Sequence, residues 1–109
     1  MTRAEHIQRE LKRMLPLLAR DASVARVIVF GSAARGNEGE ASDIDMVVVQ
    51  DTSLPFWDRL RETRRQLMPN IGLDLLVYTP GEFRSMQEHR PFVREEIALK
   101  GRTLYERRA

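Results

Sequence analysis

Gly31-Ser32 is followed, after ten intervening residues, by Asp43-Ile44-Asp45. The pair of motifs couples a turn able to cradle phosphate to two carboxylates able to hold a divalent cation, which is the equipment for handling a nucleoside triphosphate. Gly31 permits a tight bend and a close approach of backbone to a phosphate. Ser32, Ala33, Ala34 and Arg35 then open a short expected helix whose free N–H groups face that phosphate, and the Ser32 hydroxyl adds a donor. Taken alone, Gly-Ser could equally cap a helix after a strand. Arg35, three residues past Ser32, either neutralises phosphate charge or pairs with Glu38 or Glu40.

The elements that must position these residues are legible on both sides. Val27-Ile28-Val29-Phe30 is a short apolar, β-branched run, the pattern of a buried strand, and it ends at Gly31. Ser42 to Val49 reads as a second strand. Its period of two sets Asp43 and Asp45 on one face and Ile44, Met46 and Val48 on the other. Carboxylates on alternate residues stand about 6.5 Å apart at Cβ and repel by roughly 2.5 kcal/mol at an effective dielectric of about 20. A strand that holds them together therefore gains from a divalent cation, and all-oxygen ligation beside phosphate points to Mg²⁺.

A third carboxylate lies in Ile71 to Tyr78, another expected strand. Asp74 is the only charge inside it, with Leu73, Leu75 and Val77 on the opposite face. A lone acid in a core strand needs a partner: either an arginine, or a metal shared with Asp43 and Asp45 across neighbouring strands. In-line attack on an α-phosphate needs cations at both the entering and the leaving oxygen, about 3.5 to 4 Å apart, and three carboxylates suffice to bridge them. No His or Cys nucleophile is required. Cysteine is absent and the two histidines, His6 and His89, are isolated.

These residues resemble the nucleotidyltransferase superfamily related to DNA polymerase beta, and within it the minimal nucleotidyltransferases. The resemblance runs from the helix before Val27 through Gly31-Ser-Ala-Ala-Arg-Gly36, Ser42-Asp-Ile-Asp45 and Asp74-Leu-Leu-Val-Tyr-Thr-Pro80 to the closing Lys100-Gly-x-x-Leu-Tyr-Glu106. It implies an α/β fold of the polymerase beta-like kind, a small mixed β-sheet packed with helices. It implies that Asp43 and Asp45 hold two Mg²⁺ on the triphosphate of ATP, that Ser32 binds the terminal phosphates, and that Asp74 holds the second metal and helps activate an acceptor hydroxyl. Minimal nucleotidyltransferases resemble the antitoxins that accompany a HEPN-domain ribonuclease toxin and transfer AMP to its tyrosine. The expected partner is therefore such a toxin, in a hetero-oligomer. The alternative is a non-catalytic antitoxin that neutralises the toxin by complex formation alone.

The 109 residues, 42% of them hydrophobic, fit one nucleotidyltransferase domain over 1–109 with little room for a substrate-binding module, which again suggests substrate supplied by a partner. Of the 18 basic residues 16 are arginine, yet they are interleaved with 16 acids for a net charge of +2, so direct nucleic-acid binding is not expected. The densest group, Arg59, Arg61, Arg64 and Arg65, sits on an expected helix from Pro55 to Met68 with most of its arginines on the solvated face opposite Phe56, Leu60 and Leu67. Trp57 is a candidate for a protein interface. No targeting signal or membrane-length apolar run is visible, which suggests a cytoplasmic protein.

The remaining pattern is structural. Thr2-x-x-Glu5 is a capping box that opens a helix with Ile7, Leu11, Met14, Leu15 and Leu18 as its apolar stripe, and Pro16 should kink or split it near Leu15. Thr79-Pro80-Gly81-Glu82 is a second box. Pro91 should start a helix that stops at Gly101, and Arg102 to Tyr105 should add an edge strand. Asn37 to Ala41, rich in Gly and Glu, reads as a mobile loop.

Overall fold

The computed structural model describes residues 1–31 and 44–108. Ser32, Arg35 and Asp43, the expected short helix after Gly31 and the expected loop at Asn37 to Ala41 lie outside the described residues. The elements run α1 (Arg3–Ala19), β1 (Val24–Phe30), β2 (Ile44–Gln50), α2 (Phe56–Leu67), β3 (Leu73–Tyr78), α3 (Pro80–His89), a π-helix (Val93–Leu99) and β4 (Arg102–Glu106). The strands form a four-stranded mixed sheet in the order β3-β2-β1-β4. β1 pairs antiparallel with β2 and with β4, whereas β2 and β3 are parallel. A parallel neighbour needs a crossover, and α2 supplies it.

Helices cover both faces of the sheet. On one face Ile7, Leu11, Met14 and Leu18 of α1 and Leu67 of α2 bury against Val27, Val29, Ile44, Met46, Val48, Leu75 and Val77. On the other, Phe83 of α3 and Val93 and Ile97 of the π-helix bury against Ile28, Phe30, Val47 and Val49. Each buried aliphatic side chain contributes about 1.5 to 3 kcal/mol, so the two apolar layers hold the strands in register. This explains why β1 and β2 read as continuous apolar runs rather than alternating ones. From Ile44 onward the division of β2 is as expected, with Ile44, Met46 and Val48 on the α1 side.

Several boundaries differ from expectation. β1 begins at Val24, three residues before the apolar run, because Val24 is itself buried in the core. β3 begins at Leu73 rather than Ile71. Pro16 does not split α1, which continues to Ala19. Proline removes one hydrogen bond, here to the carbonyl of Lys12, and both Pro16 and Lys12 are exposed, so water can satisfy that carbonyl while Met14 and Leu18 stay anchored in the core. After Pro91 the chain winds as a π-helix, closed by Lys100 N–H donating to Glu95 O at 3.0 Å. Gly101 ends it as expected: a Cβ there would overlap Ile97 O and stand 2.8 Å from Ile28 Cγ2, so only glycine lets the helix end lie against β1. Both capping boxes are present.

β3 is an edge strand, and α2 closes its outer side. Ile44 N–H donates to Gly72 O across the β2–β3 pair, so the alternate residues Leu73, Leu75 and Val77 direct their backbone groups away from β2. Arg64 donates to Leu73 O at 2.6 Å and Arg59 to Val77 O at 3.3 Å. Arg61, Arg64 and Arg65 are exposed, as the helical pattern suggested, but Arg59 is buried. It reaches around the strand edge to Glu82 of α3, at 2.7 Å, and that guanidinium holds the Glu82 carboxyl below its ordinary range. A long unpaired edge invites further strand pairing, and side chains on its carbonyls block it.

The loop into β3 is fixed by a buried acid. Glu10 of α1 is 3% exposed; it accepts from Arg13 Nε at 2.7 Å and from Asn70 N–H at 2.8 Å, and Arg13 also donates to Met68 O at 3.2 Å. These bonds, Arg13 foremost, hold the Glu10 carboxyl at a pKa of about 2 against the usual 4.5. A carboxylate whose folded pKa is depressed stabilises the fold above its unfolded pKa and loses that contribution as pH falls. Glu10→Gln is expected to cost about 1 to 3 kcal/mol at neutral pH. The gap between wild type and variant in urea unfolding should shrink as pH falls from 4.5 toward 2.

Candidate active site at the acidic end of the sheet

β1 ends where β2 and β3 begin, and of the candidate residues Gly31, Asp45 and Asp74 meet there. Phe30 is the register partner of Asp45, and Asp45 is in turn the partner of Asp74 on the parallel strand. Neighbouring strands lie about 4.8 Å apart, so the two carboxylates rise side by side from the same face, the one shared with Phe30 and Val47. Asp45 is half-buried and Asp74 exposed. The exposure of Asp74 corrects the expectation of an acid in a core strand: β3 lies at the sheet edge, and water reaches its second residue. Among the described residues no hydrogen bond or ion pair engages the Asp74 carboxylate, so the arginine partner that the sequence left open is not found there.

Gly31 abuts this pair. Its φ is +73°, in the left-handed region, and a Cβ would overlap Asp45 Oδ2 and stand 3.4 Å from Asp45 Cγ. Both constraints demand glycine. The turn that the sequence assigned to phosphate is thus in contact with one of the two carboxylates. Ser32 and Arg35, which follow it, and Asp43, two residues before Asp45, are outside the described residues. Among the described residues no group of three or more His, Cys, Asp or Glu side chains comes together. The donor set of Asp45 and Asp74 is all oxygen and suits Mg²⁺.

The family model for the polymerase beta nucleotidyltransferase domain matches residues 12–109. The chain belongs to that nucleotidyltransferase family. The mixed four-stranded sheet packed with helices is its fold, as the sequence motifs implied. A solved structure from Sulfolobus solfataricus, described as a candidate nucleotidyltransferase, is similar to this chain with a TM-score of 0.65 and 22% identity, over 98% of this chain and 90% of that one. At that identity the likeness speaks for the fold. No curated protein matches the chain significantly in sequence.

Other residues of this nucleotidyltransferase domain support the acidic end without touching it. Arg64, whose helical position suggested only a solvated face, holds the carbonyl of Leu73 directly before Asp74. No short-range signal marks this bond, because it joins a helix to a strand nine residues on. Trp57, the interface candidate, is 72% exposed and packs edge-on against Phe56 at 5.2 Å, and Phe56 in turn lies against Tyr78 at the opposite end of β3. None of the described helices is long and apolar enough to cross a membrane.

Replacing Gly31 by alanine is expected to destabilise the domain by about 1 to 3 kcal/mol, because the left-handed φ is strained for any other residue and Asp45 must move. The urea midpoint should fall accordingly, and a double variant with Asp45→Ala should recover part of the loss, the part due to overlap rather than to φ.

Proposed function

We propose that the protein is a Mg²⁺-dependent nucleotidyltransferase that moves AMP from ATP to a hydroxyl, a tyrosine of a partner HEPN-domain ribonuclease toxin, and so acts as that toxin's antitoxin. The observation that carries the transferase reading is the alignment of Asp45 beside Asp74, with the Gly31 turn against Asp45. The toxin partner and the tyrosine rest on the resemblance to minimal nucleotidyltransferases.

In this reading Asp43, Asp45 and Asp74 would hold the metal ions, Asp74 on the acceptor side, and Mg²⁺ when bound would supply charge neutralisation at the entering and leaving oxygens. The Ser32 hydroxyl and the backbone N–H groups after Gly31 bind the terminal phosphates, and Arg35 offsets their charge. Asp74, exposed at the strand edge, accepts the proton of the acceptor hydroxyl as its oxygen attacks the α-phosphorus. The bond from the α-phosphorus to the bridging oxygen breaks, and pyrophosphate departs. The protein's contribution is position and electrostatics, which needs no covalent intermediate.

Two measurements test this. Thermal unfolding of the wild type should shift upward on addition of Mg²⁺ with ATP, and the shift should vanish in Asp45→Asn and in Asp74→Asn, since binding to the folded state alone stabilises it by mass action. Label from α-³²P-ATP should appear on the HEPN partner with the wild type and drop by at least a hundredfold with Asp45→Asn. Label on no acceptor, with a stable complex still forming and still neutralising the toxin, would replace the transferase by the binding antitoxin.

A further inference from the structure

Phe92 is a large apolar residue left 57% exposed at the same end of the sheet as the carboxylates. α3 starts after Tyr78, at the far end of β3, and returns along the sheet, so that Arg90, Pro91 and Phe92 arrive beside the end of β1. There the Phe92 ring meets Phe30 edge to face, at a centroid distance of 6.1 Å and an interplanar angle of 85°. Phe30 is buried and is the register partner of Asp45, next in chain to Gly31. Antiparallel partners stand about 4.5 to 5.5 Å apart at Cα, so a single side chain, Phe30, separates the exposed ring from the strand position that carries Asp45.

The local backbone is unusual as well. The π-helix begins at Val93, the residue after Phe92, and buries Val93 and Ile97 while Phe92 stays outside. Such helices are rare. Phe92 thereby touches Phe30 and leaves more than half of its surface open, an aromatic side chain with two torsions and no polar atom.

We propose that Phe92 is the nucleobase platform of the nucleotide site: its exposed ring stacks on the base of a nucleoside triphosphate whose phosphates lie at Gly31 and Asp45. The inference rests on the nucleotidyltransferase reading above and deepens it. Every base has a π-face, so stacking on an aromatic ring is tolerant of base identity. The platform supplies affinity and orientation, and leaves selection among bases to other groups.

The test is calorimetric binding with Mg²⁺ of ATP, GTP and inorganic tripolyphosphate, which carries the phosphates without a base. Phe92→Leu keeps an apolar side chain on Phe30 and removes the π-face; Phe92→Trp keeps a π-face. Phe92→Leu is expected to weaken ATP and GTP about tenfold each, to leave tripolyphosphate unchanged, and to melt as the wild type does; Phe92→Trp should restore both nucleotides. If Phe92→Leu binds ATP as tightly as the wild type, or loses tripolyphosphate in equal measure, the platform is overturned while the transferase reading stands. A wild type that binds neither ATP nor tripolyphosphate overturns both.

Discussion

Burial of β2 on both faces is the constraint from which the site follows. Its middle residues, Val47 and Val48, are fully buried between the α1 layer and the α3 and π-helix layer. A carboxylate there would lose its hydration without a partner, at a cost of several kcal/mol. Charge is tolerated only where the layers end. Asp45 is the second residue of β2, and Asp74 is the second residue of β3, where the same limit applies. Parallel pairing in register then sets the two second residues side by side. An antiparallel partner would have carried its own second residue to the opposite end of the sheet. The acidic end thus follows from apolar burial together with strand direction.

Two kinds of polar contact keep that end in place. The Glu10 and Arg13 pair ties α1 to the Met68 to Asn70 loop that feeds β3, and Arg64 ties α2 to the carbonyl before Asp74. Both act on the approach to the strand rather than on the carboxylate. Asp74 is left to water on its open side.

How far the sequence disclosed this arrangement depends on the range of the interactions involved. The strands around Phe30, Asp45 and Asp74, the two capping boxes and the glycine at the turn all rest on local periodicity or local dihedral demands, and they appear in the structure as expected. What local pattern could not show was the strand order. Asp74 read as a core acid because its neighbours are apolar, but it is exposed because β3 stands at the edge. Arg59 read as one of a solvated group; it is buried because the strand edge, α2 and α3 converge on it. The π-helix escaped for a similar reason: Val93 and Ile97, buried against β1 and β2, suit an α-helical stripe equally well. Ser32, Arg35 and Asp43 remain readings of the sequence and its family likeness.

The edge position of β3 gives Asp74 a meaning beyond chemistry. Leu-Asp-Leu-Leu-Val-Tyr is a six-residue segment with strong β-propensity and a single charge. In a stack of identical copies that carboxylate would repeat about every 4.8 Å, an arrangement opposed by its own repulsion. A single charge thus opposes stacking of the sheet's edge strand, and it is a residue that the proposed reaction also needs.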